Sequence, residues 1–467
     1  MKKVFIDTLG CAKNEYDSQV MAAALVDSGF ELTDDAFESD IMIVNTCGFI
    51  EDAKKESINR ILELADEFGE KKKLVVTGCL SERYHDELVK EMPEVDMFFG
   101  VNDYDRLPDL LEGLESGAER DKVDKSLDDL GYRRREFGNN EDAGDTRFYG
   151  YLKIAEGCNN ACSFCAIPLI RGHYRSKKIE DCVREAHEMA EAGIKELIVI
   201  AQDTSQYGKD LYGEVRLPQL LHELCRIEGI EWIRLMYVYD NGITDELIDA
   251  IASEPKVCNY IDMPIQHISD NVLRLMRRQS TGDSIKAVIT KLRERIPDVH
   301  VRTTLLVGTP GETEADFDEL VDFIDSFDID RLGAFAFSDE EGTLSHLMDY
   351  KVPQEIAEMR RDTVMEHQLA VSEKLNEKKL GKVMEVIVDE AIELDAGNIV
   401  EDFDDIDDSI RDQIINTYSG RTRYDAPEID CAVTFTSNRM DIFPGDVVKV
   451  LITDAYEYDL EGKEVTE

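Results

Sequence analysis

Three cysteines near the middle of the chain are the residues best equipped for chemistry. Cys158, Cys162 and Cys165 form C-x3-C-x2-C within Glu156-Gly157-Cys158-Asn159-Asn160-Ala161-Cys162-Ser163-Phe164-Cys165. Three thiolates on one short loop can grip three irons of a four-iron cluster, leaving the fourth iron open to a small molecule. Zinc is the competing metal. A structural zinc site takes four ligands, often as paired knuckles, and the nearest candidate for a fourth here is His173. Inert thiols are the remaining alternative. The loop follows a strand pattern at residues 151–155, and the C-terminal mouth of a βα unit is where barrel chemistry is expected.

A second trio, Cys11, Cys47 and Cys79, is scattered but regular. Each follows an apolar strand pattern: Val4-Phe5-Ile6, Ile41-Met42-Ile43-Val44 and Leu74-Val75-Val76. In a doubly wound sheet the carboxyl ends of parallel strands converge on one edge, where three thiols can meet around one cluster. Gly10, Gly48 and Gly78 beside them allow tight turns or close approach. The competing reading is three unrelated small hydrophobes, since free cysteine is commonly buried. The other four, Cys182, Cys225, Cys258 and Cys431, sit inside helix or strand patterns and read as core or surface thiols.

The elements that must position these sulfurs alternate. Strand patterns at 4–8, 41–46 and 74–77 alternate with helical ones at 15–27, 53–68 and 82–91, which predicts a parallel, doubly wound α/β domain over residues 1–105. Periodicity fades after Leu107, and 106–143 is expected as a linker. Six βα units then follow, with strands at 151–155, 196–201, 232–237, 260–263, 301–307 and 332–337, which predicts a barrel or part-barrel over 144–378, closed by a long helix at 354–380. From 379 to 467 short strands and turn residues predict a small all-β barrel, interrupted by an acidic run at 401–408.

Composition bounds the setting. A chain of 467 residues with 43% hydrophobic side chains can build several cores. No apolar run is long enough for a membrane span, and the N-terminus breaks off too early for a secretory signal, so a cytoplasmic protein is expected. In that compartment ten cysteines point to metal or redox chemistry in place of disulfides. With 101 acidic against 53 basic residues the net charge is −48; such a field repels phosphate backbones and attracts basic proteins, although solvation or adaptation to salt would also account for it.

The central motif, with Phe164 just before its last cysteine, resembles that of the radical S-adenosylmethionine (SAM) superfamily. The resemblance implies that Cys158, Cys162 and Cys165 hold a 4Fe-4S cluster whose open iron chelates SAM and splits it to a 5′-deoxyadenosyl radical. It also implies SAM contacts near Gln202, Asp203, Gln266 and Gly308. Leu9-Gly10-Cys11-Ala12-Lys13-Asn14, Asn45-Thr46-Cys47 and Thr77-Gly78-Cys79 resemble the N-terminal domain of the methylthiotransferases. In those proteins the three cysteines hold an auxiliary 4Fe-4S cluster that carries the sulfur to be transferred.

Further segments resemble the RimO-type branch, which modifies an aspartate of ribosomal protein twelve of the small subunit. Among them are Arg171-Gly172-His173-Tyr174-Arg175-Ser176, Gln202-Asp203-Thr204-Ser205-Gln206-Tyr207-Gly208 and, in the last domain, Gly420-Arg421-Thr422-Arg423-Tyr424-Asp425-Ala426-Pro427-Glu428-Ile429-Asp430. The last of these resembles the TRAM domain that recognises the ribosomal protein. The resemblance implies two 4Fe-4S clusters, SAM as both methyl donor and radical source, and a flavodoxin- or ferredoxin-type electron donor. Nucleic acid is not expected as the main substrate. The alternatives are the same chemistry on transfer RNA adenosine and a non-catalytic iron–sulfur protein. Asp240, Thr309 and Cys431 depart from the family pattern without touching an expected ligand, and the roles of Asp203 and Glu312 stay open between SAM binding and helix capping.

Overall fold

A computed structural model describes residues 1–115, 121–122, 130–137, 147–393 and 415–465. The chain begins with β1 (Lys3–Thr8), α1 (Ala12–Asp27), β2 (Glu31–Leu32), β3 (Ile41–Thr46), α2 (Glu51–Phe68), β4 (Lys73–Gly78), α3 (Cys79–Glu91), β5 (Met97–Phe99), α4 (Leu107–Glu115) and β6 (Asp121–Lys122). The strands form one parallel sheet in the order β2-β1-β3-β4-β5-β6. All six residues of β3 are buried. A strand apolar on both faces needs a helical layer on each. Ile41 and Ile43 face Val20, Met21, Leu110 and Leu111, while Met42 and Val44 face Ile61, Leu64 and Leu88. The doubly wound domain is therefore present.

Two parts of the expected linker differ from that reading. Leu107, Leu110, Leu111 and Leu114 recur at helical spacing, and α4 packs them onto the core of the first sheet. Residues 130–137 fasten the first two domains together. Arg135 donates to the Tyr151 carbonyl at 2.6 Å and lies over the rings of Tyr16 and Phe137. Tyr132 donates to Glu188, and Arg134 to Asp27. Local composition hides such fastening, because the partners are distant in sequence.

The central unit comprises β7 (Tyr149–Lys153), β8 (Ala155–Glu156), α5 (Ile167–Ile170), β9 (Arg175–Ser176), α6 (Ile179–Glu191), β10 (Glu196–Ile200), α7 (Lys209–Tyr212), α8 (Leu217–Cys225), β11 (Trp232–Leu235), α9 (Asp245–Ser253), β12 (Val257–Asp262), α10 (Asp270–Leu275), α11 (Gly282–Arg295), β13 (His300–Val307), α12 (Glu314–Phe327), β14 (Arg331–Ala336) and α13 (Gln354–Glu377). Strands β7 and β10–β14 pair in parallel, each beside the next, in a sheet that stays open. It is a part-barrel. Leu197, Val199, Ile233 and Leu235 pack under the helices, whereas Tyr151, Ile198, Ile200 and Tyr260 face the other way. Strands β8 and β9 pair antiparallel and frame the cysteine loop.

The last unit is a closed barrel of β15 (Val383–Glu393), β16 (Asn416–Thr422), β17 (Val433–Ser437), β18 (Val447–Ala455) and β19 (Leu460–Glu464). The acidic run 401–408 lies outside the described residues. Ile387 and Ala426 of this unit pack on the inner face of the central sheet. Most polar residues of segment 420–430 are spent on the same junction. Arg331 pairs with Asp425 at 2.8 Å, Arg421 with Glu196 at 3.0 Å and Arg302 with Asp430 at 3.3 Å, and Tyr260 donates to Asp430 at 2.6 Å.

Candidate active site

Strand register brings the first trio of cysteines to one edge. Thr8 stands opposite Asn45, and Thr46 opposite Gly78, so Cys11, Cys47 and Cys79 leave neighbouring strand ends side by side. Cys11 is the N-cap of α1 and Cys79 the first residue of α3. Burial pushes the Cys79 thiol above its usual range. Cys47 is fixed by Ser57, whose hydroxyl accepts from its amide and donates to its carbonyl, both at 3.1 Å. Asn14, wholly buried, donates to the carbonyls of Leu9 at 2.7 Å and Thr46 at 3.0 Å and so holds two of the three tips together. Gly78, at φ 94°, allows the close approach of β3: a Cβ there would lie 2.4 Å from the Thr46 oxygen.

The second trio sits on the loop between β8 and β9. Cys158 donates its amide to the Gly172 carbonyl at 3.1 Å, and Cys165 donates to the Cys162 carbonyl at 3.2 Å. Loops from later strands close around it. Tyr239, after β11, places its hydroxyl 3.4 Å from Cys162 Sγ, and the Arg278 guanidinium lies over its ring. Asn160 donates to Asp203 at 2.8 Å. Asp240, the departure noted in the sequence, is buried and paired with Arg278 at 3.2 Å. Burial pushes the thiols of Cys47 and Cys165 up to about 12 and that of Cys158 to about 11, so these sulfurs keep their protons until a metal displaces them.

The two trios adjoin. Cys79 packs on Ala166 and Ile170, just past Cys165. Between the sites lies a buried network: Lys153 donates to Asp17 and Glu156, both at 2.6 Å, and Arg171 reaches Asp17 at 2.6 Å. The charges of Lys153 and Arg171 outweigh burial and hold the Glu156 carboxyl well below its usual range. Sequence reasoning quoted Glu156 and Arg171 without giving them roles, and it missed Asp17, Tyr239 and Arg278. The one signal available was an excess of charged and polar residues within apolar patterns.

The four expected SAM contacts all follow central strands. Gln202 and Asp203 come after β10, Gln266 after β12 and Gly308 after β13. Gln202 donates to Glu156 at 2.7 Å, and its amide oxygen is buried without a partner among the described residues. Burial raises the Asp203 carboxyl above its usual range. Gln266 adopts a left-handed φ of 70° and Tyr237 one of 58°, strain of the kind that gathers at binding sites. The Gly308 amide is engaged by Glu312 at 2.7 Å, and Arg360 pairs with the same carboxylate at 2.9 Å. Glu312 therefore shapes this turn.

Three thiols on one short loop, as at Cys158, Cys162 and Cys165, are a donor set that fits a four-iron cluster with one iron left open. Among the described residues no three His, Cys, Asp or Glu side chains stand close enough to hold one metal ion. Ligands of a cluster bind separate irons and stand further apart than ligands sharing an ion. Arg171 Nε, on a guanidinium that touches Cys79, is buried with no partner among the described residues. Such an orphaned donor suits an electron-rich sulfur.

An open parallel sheet carrying three cysteines on its first loop is the arrangement expected from the resemblance to radical SAM enzymes. Residues 152–324 match the radical SAM superfamily, residues 3–100 match the group described as uncharacterized protein family UPF0004, and residues 405–465 match the TRAM domain. Proteins named ribosomal protein uS12 methylthiotransferase RimO are similar over the full length. That of Clostridioides difficile is 45% identical, covering 99% of this chain and 98% of its own, and that of Acetivibrio thermocellus is 44% identical, covering 100% and 99%. The chain belongs to the RimO family of radical SAM methylthiotransferases. The fold is shared with TsrM, a radical SAM methyltransferase from Kitasatospora setae solved with cobalamin and a 4Fe-4S cluster (TM-score 0.55, 16% identity, 72% of each chain). It is also shared with OxsB, a cobalamin-dependent radical SAM enzyme (TM-score 0.52, 13% identity, 79% of this chain and 56% of that one). The radical SAM class uses a 4Fe-4S cluster and SAM. Among the described residues no helix is long and apolar enough to cross a membrane.

Proposed function

We propose that this chain adds a methylthio group to the β-carbon of an aspartate in uS12, ribosomal protein twelve of the small subunit. In this reading Cys158, Cys162 and Cys165 hold the radical SAM cluster, and Cys11, Cys47 and Cys79 hold an auxiliary 4Fe-4S cluster. When bound, the clusters and SAM supply the methyl group, the sulfur and a carbon radical able to take a hydrogen that acid–base chemistry cannot remove. The chain's own residues position and shield. Tyr239 and Arg278 close over Cys162, Asn160 and Asp203 brace the loop, and Gln202, Asp203, Gln266 and the Gly308 turn line the strand ends where SAM is held.

The observation that carries this reading is the packing of Cys79 on Ala166 and Ile170. It sets two thiol trios from separate sheets against each other, as transfer between two centres requires. A net charge of −48 suits a strongly basic ribosomal protein and opposes a nucleic acid. Binding of uS12 falls to the TRAM barrel. Because Arg421, Asp425 and Asp430 are buried against the central sheet, recognition uses other faces of that barrel, where Phe443, Tyr456 and Tyr458 are exposed. Electrons come from a flavodoxin- or ferredoxin-type donor, and the reaction belongs in the cytoplasm.

The test is anaerobic. Reconstituted protein should hold two four-iron clusters. With SAM and dithionite it should add methylthio mass to uS12 and none to transfer RNA. Mass gain on transfer RNA alone, or a single cluster after full reconstitution, would overturn the proposal.

A further inference from the structure

Arg171 lies just past α5, on the same loop as Cys165, yet its guanidinium serves the other trio. Its side chain is 1% exposed and touches four groups. Nη1 donates to Asp17 Oδ2 at 2.6 Å and to Glu156 Oε2 at 3.3 Å. Nη2 donates to Asn14 Oδ1 at 3.0 Å and to Cys79 Sγ at 3.3 Å. Lys153 shares the same two carboxylates. Two cations thus balance two anions; four N–H groups of Arg171 are engaged, one of them at the sulfur, and the fifth, on Nε, is buried with no partner among the described residues.

We infer that Arg171 is a positioning residue of the auxiliary site: it donates a charge-assisted hydrogen bond to the Cys79 thiolate, orients that ligand and raises the reduction potential of the cluster it binds. The inference rests on the assignment of Cys79 as a cluster ligand. A hydrogen bond to a ligand sulfur withdraws electron density from it, and the state carrying one more electron is favoured. Arginine suits the task because its planar fork can serve carboxylate and sulfur together without losing its proton. Asp17 comes from α1 and Glu156 from β8, so one side chain fixes an auxiliary ligand relative to the loop of the radical site. Lysine at this position would keep the charge and lose the fork.

The experiment is a redox titration followed by electron paramagnetic resonance. It uses the full chain with Cys158, Cys162 and Cys165 replaced by alanine, so that only the auxiliary cluster is observed. Arg171→Met should shift the midpoint potential to more negative values at unchanged iron and sulfide content, and Arg171→Lys should shift it less. An unchanged potential in a variant that bears the cluster overturns the inference. Pulsed resonance on the unsubstituted Arg171, with arginine labelled in heavy nitrogen, needs no mutant to assemble. Coupling of that nitrogen to the reduced cluster is expected, and its absence overturns the inference. Cys79→Ala separates the two levels: if it keeps a full auxiliary cluster, the ligand assignment itself fails.

Discussion

Gly10 presses on Cys47 across the tips of β1 and β3, so that a Cβ on Gly10 would lie 2.8 Å from Cys47 Cβ and 3.4 Å from its sulfur. Its φ of 99° is one that glycine adopts freely and alanine does not. Gly10→Ala should therefore cost about 1–3 kcal/mol of strain and displace one ligand of the trio. The expected result is a fall in iron and sulfide toward the content of one cluster, with SAM cleavage kept. An iron and sulfide assay on anaerobically reconstituted protein checks it. Full content would mean that the tip has room to yield.

The two trios stand on separate sheets, and their loss should separate as well. Cys162→Ala is expected to abolish formation of 5′-deoxyadenosine altogether. Cys47→Ala should leave that product and stop sulfur transfer. Chromatography of the nucleoside and mass measurement of uS12 read the two outcomes. Normal transfer by Cys47→Ala would refute the auxiliary-cluster assignment.

Tyr239 stands behind Cys162 with its hydroxyl 3.4 Å from the sulfur. Groups that orient a metal ligand commonly alter activity by about 10–100-fold when removed. Tyr239→Phe keeps the ring under Arg278 and deletes only the hydroxyl. It should slow SAM cleavage by about tenfold with full iron content, measured as the rate of 5′-deoxyadenosine formation.

Strands whose burial comes in consecutive runs were legible before any coordinates. β3 falls where the sequence placed it, and β4 differs by one residue at each end. Cys11, Cys47 and Cys79 stand out because each follows an apolar strand pattern, and Cys158, Cys162 and Cys165 because of their spacing on one loop; their role as ligands is the proposal above. What escaped depends on distant partners. β16 and β19 read as polar, and only closure of the barrel makes them strands. The short β5 carries too few residues to show a period. The bond of Arg171 to Cys79 joins residues 92 apart, a relation no local pattern can hold. Segment 420–430 carried the resemblance to the TRAM domain, which the match over residues 405–465 bears out, but the sequence could not show that its Arg421, Asp425 and Asp430 are committed to an internal junction.

That junction has a pH dependence. Burial alone would raise the Asp425 carboxyl, but Arg331, Lys379 and the Thr422 hydroxyl outweigh it and hold the group well below the usual range. A carboxylate depressed in the folded state contributes stability that is complete above its unfolded value, near about 4, and is lost as pH falls through the folded value. Asp425→Asn leaves the Arg331 guanidinium buried and short of a counter-charge, a loss of about 3 kcal/mol at neutral pH. Denaturant unfolding across pH should show the variant weaker at pH 7, with a flatter acid limb. The two proteins should converge at the lowest pH, where Asp425 is protonated in both states of the parent. A constant difference across the whole range would mean that packing, and not charge, holds the barrel to the central sheet.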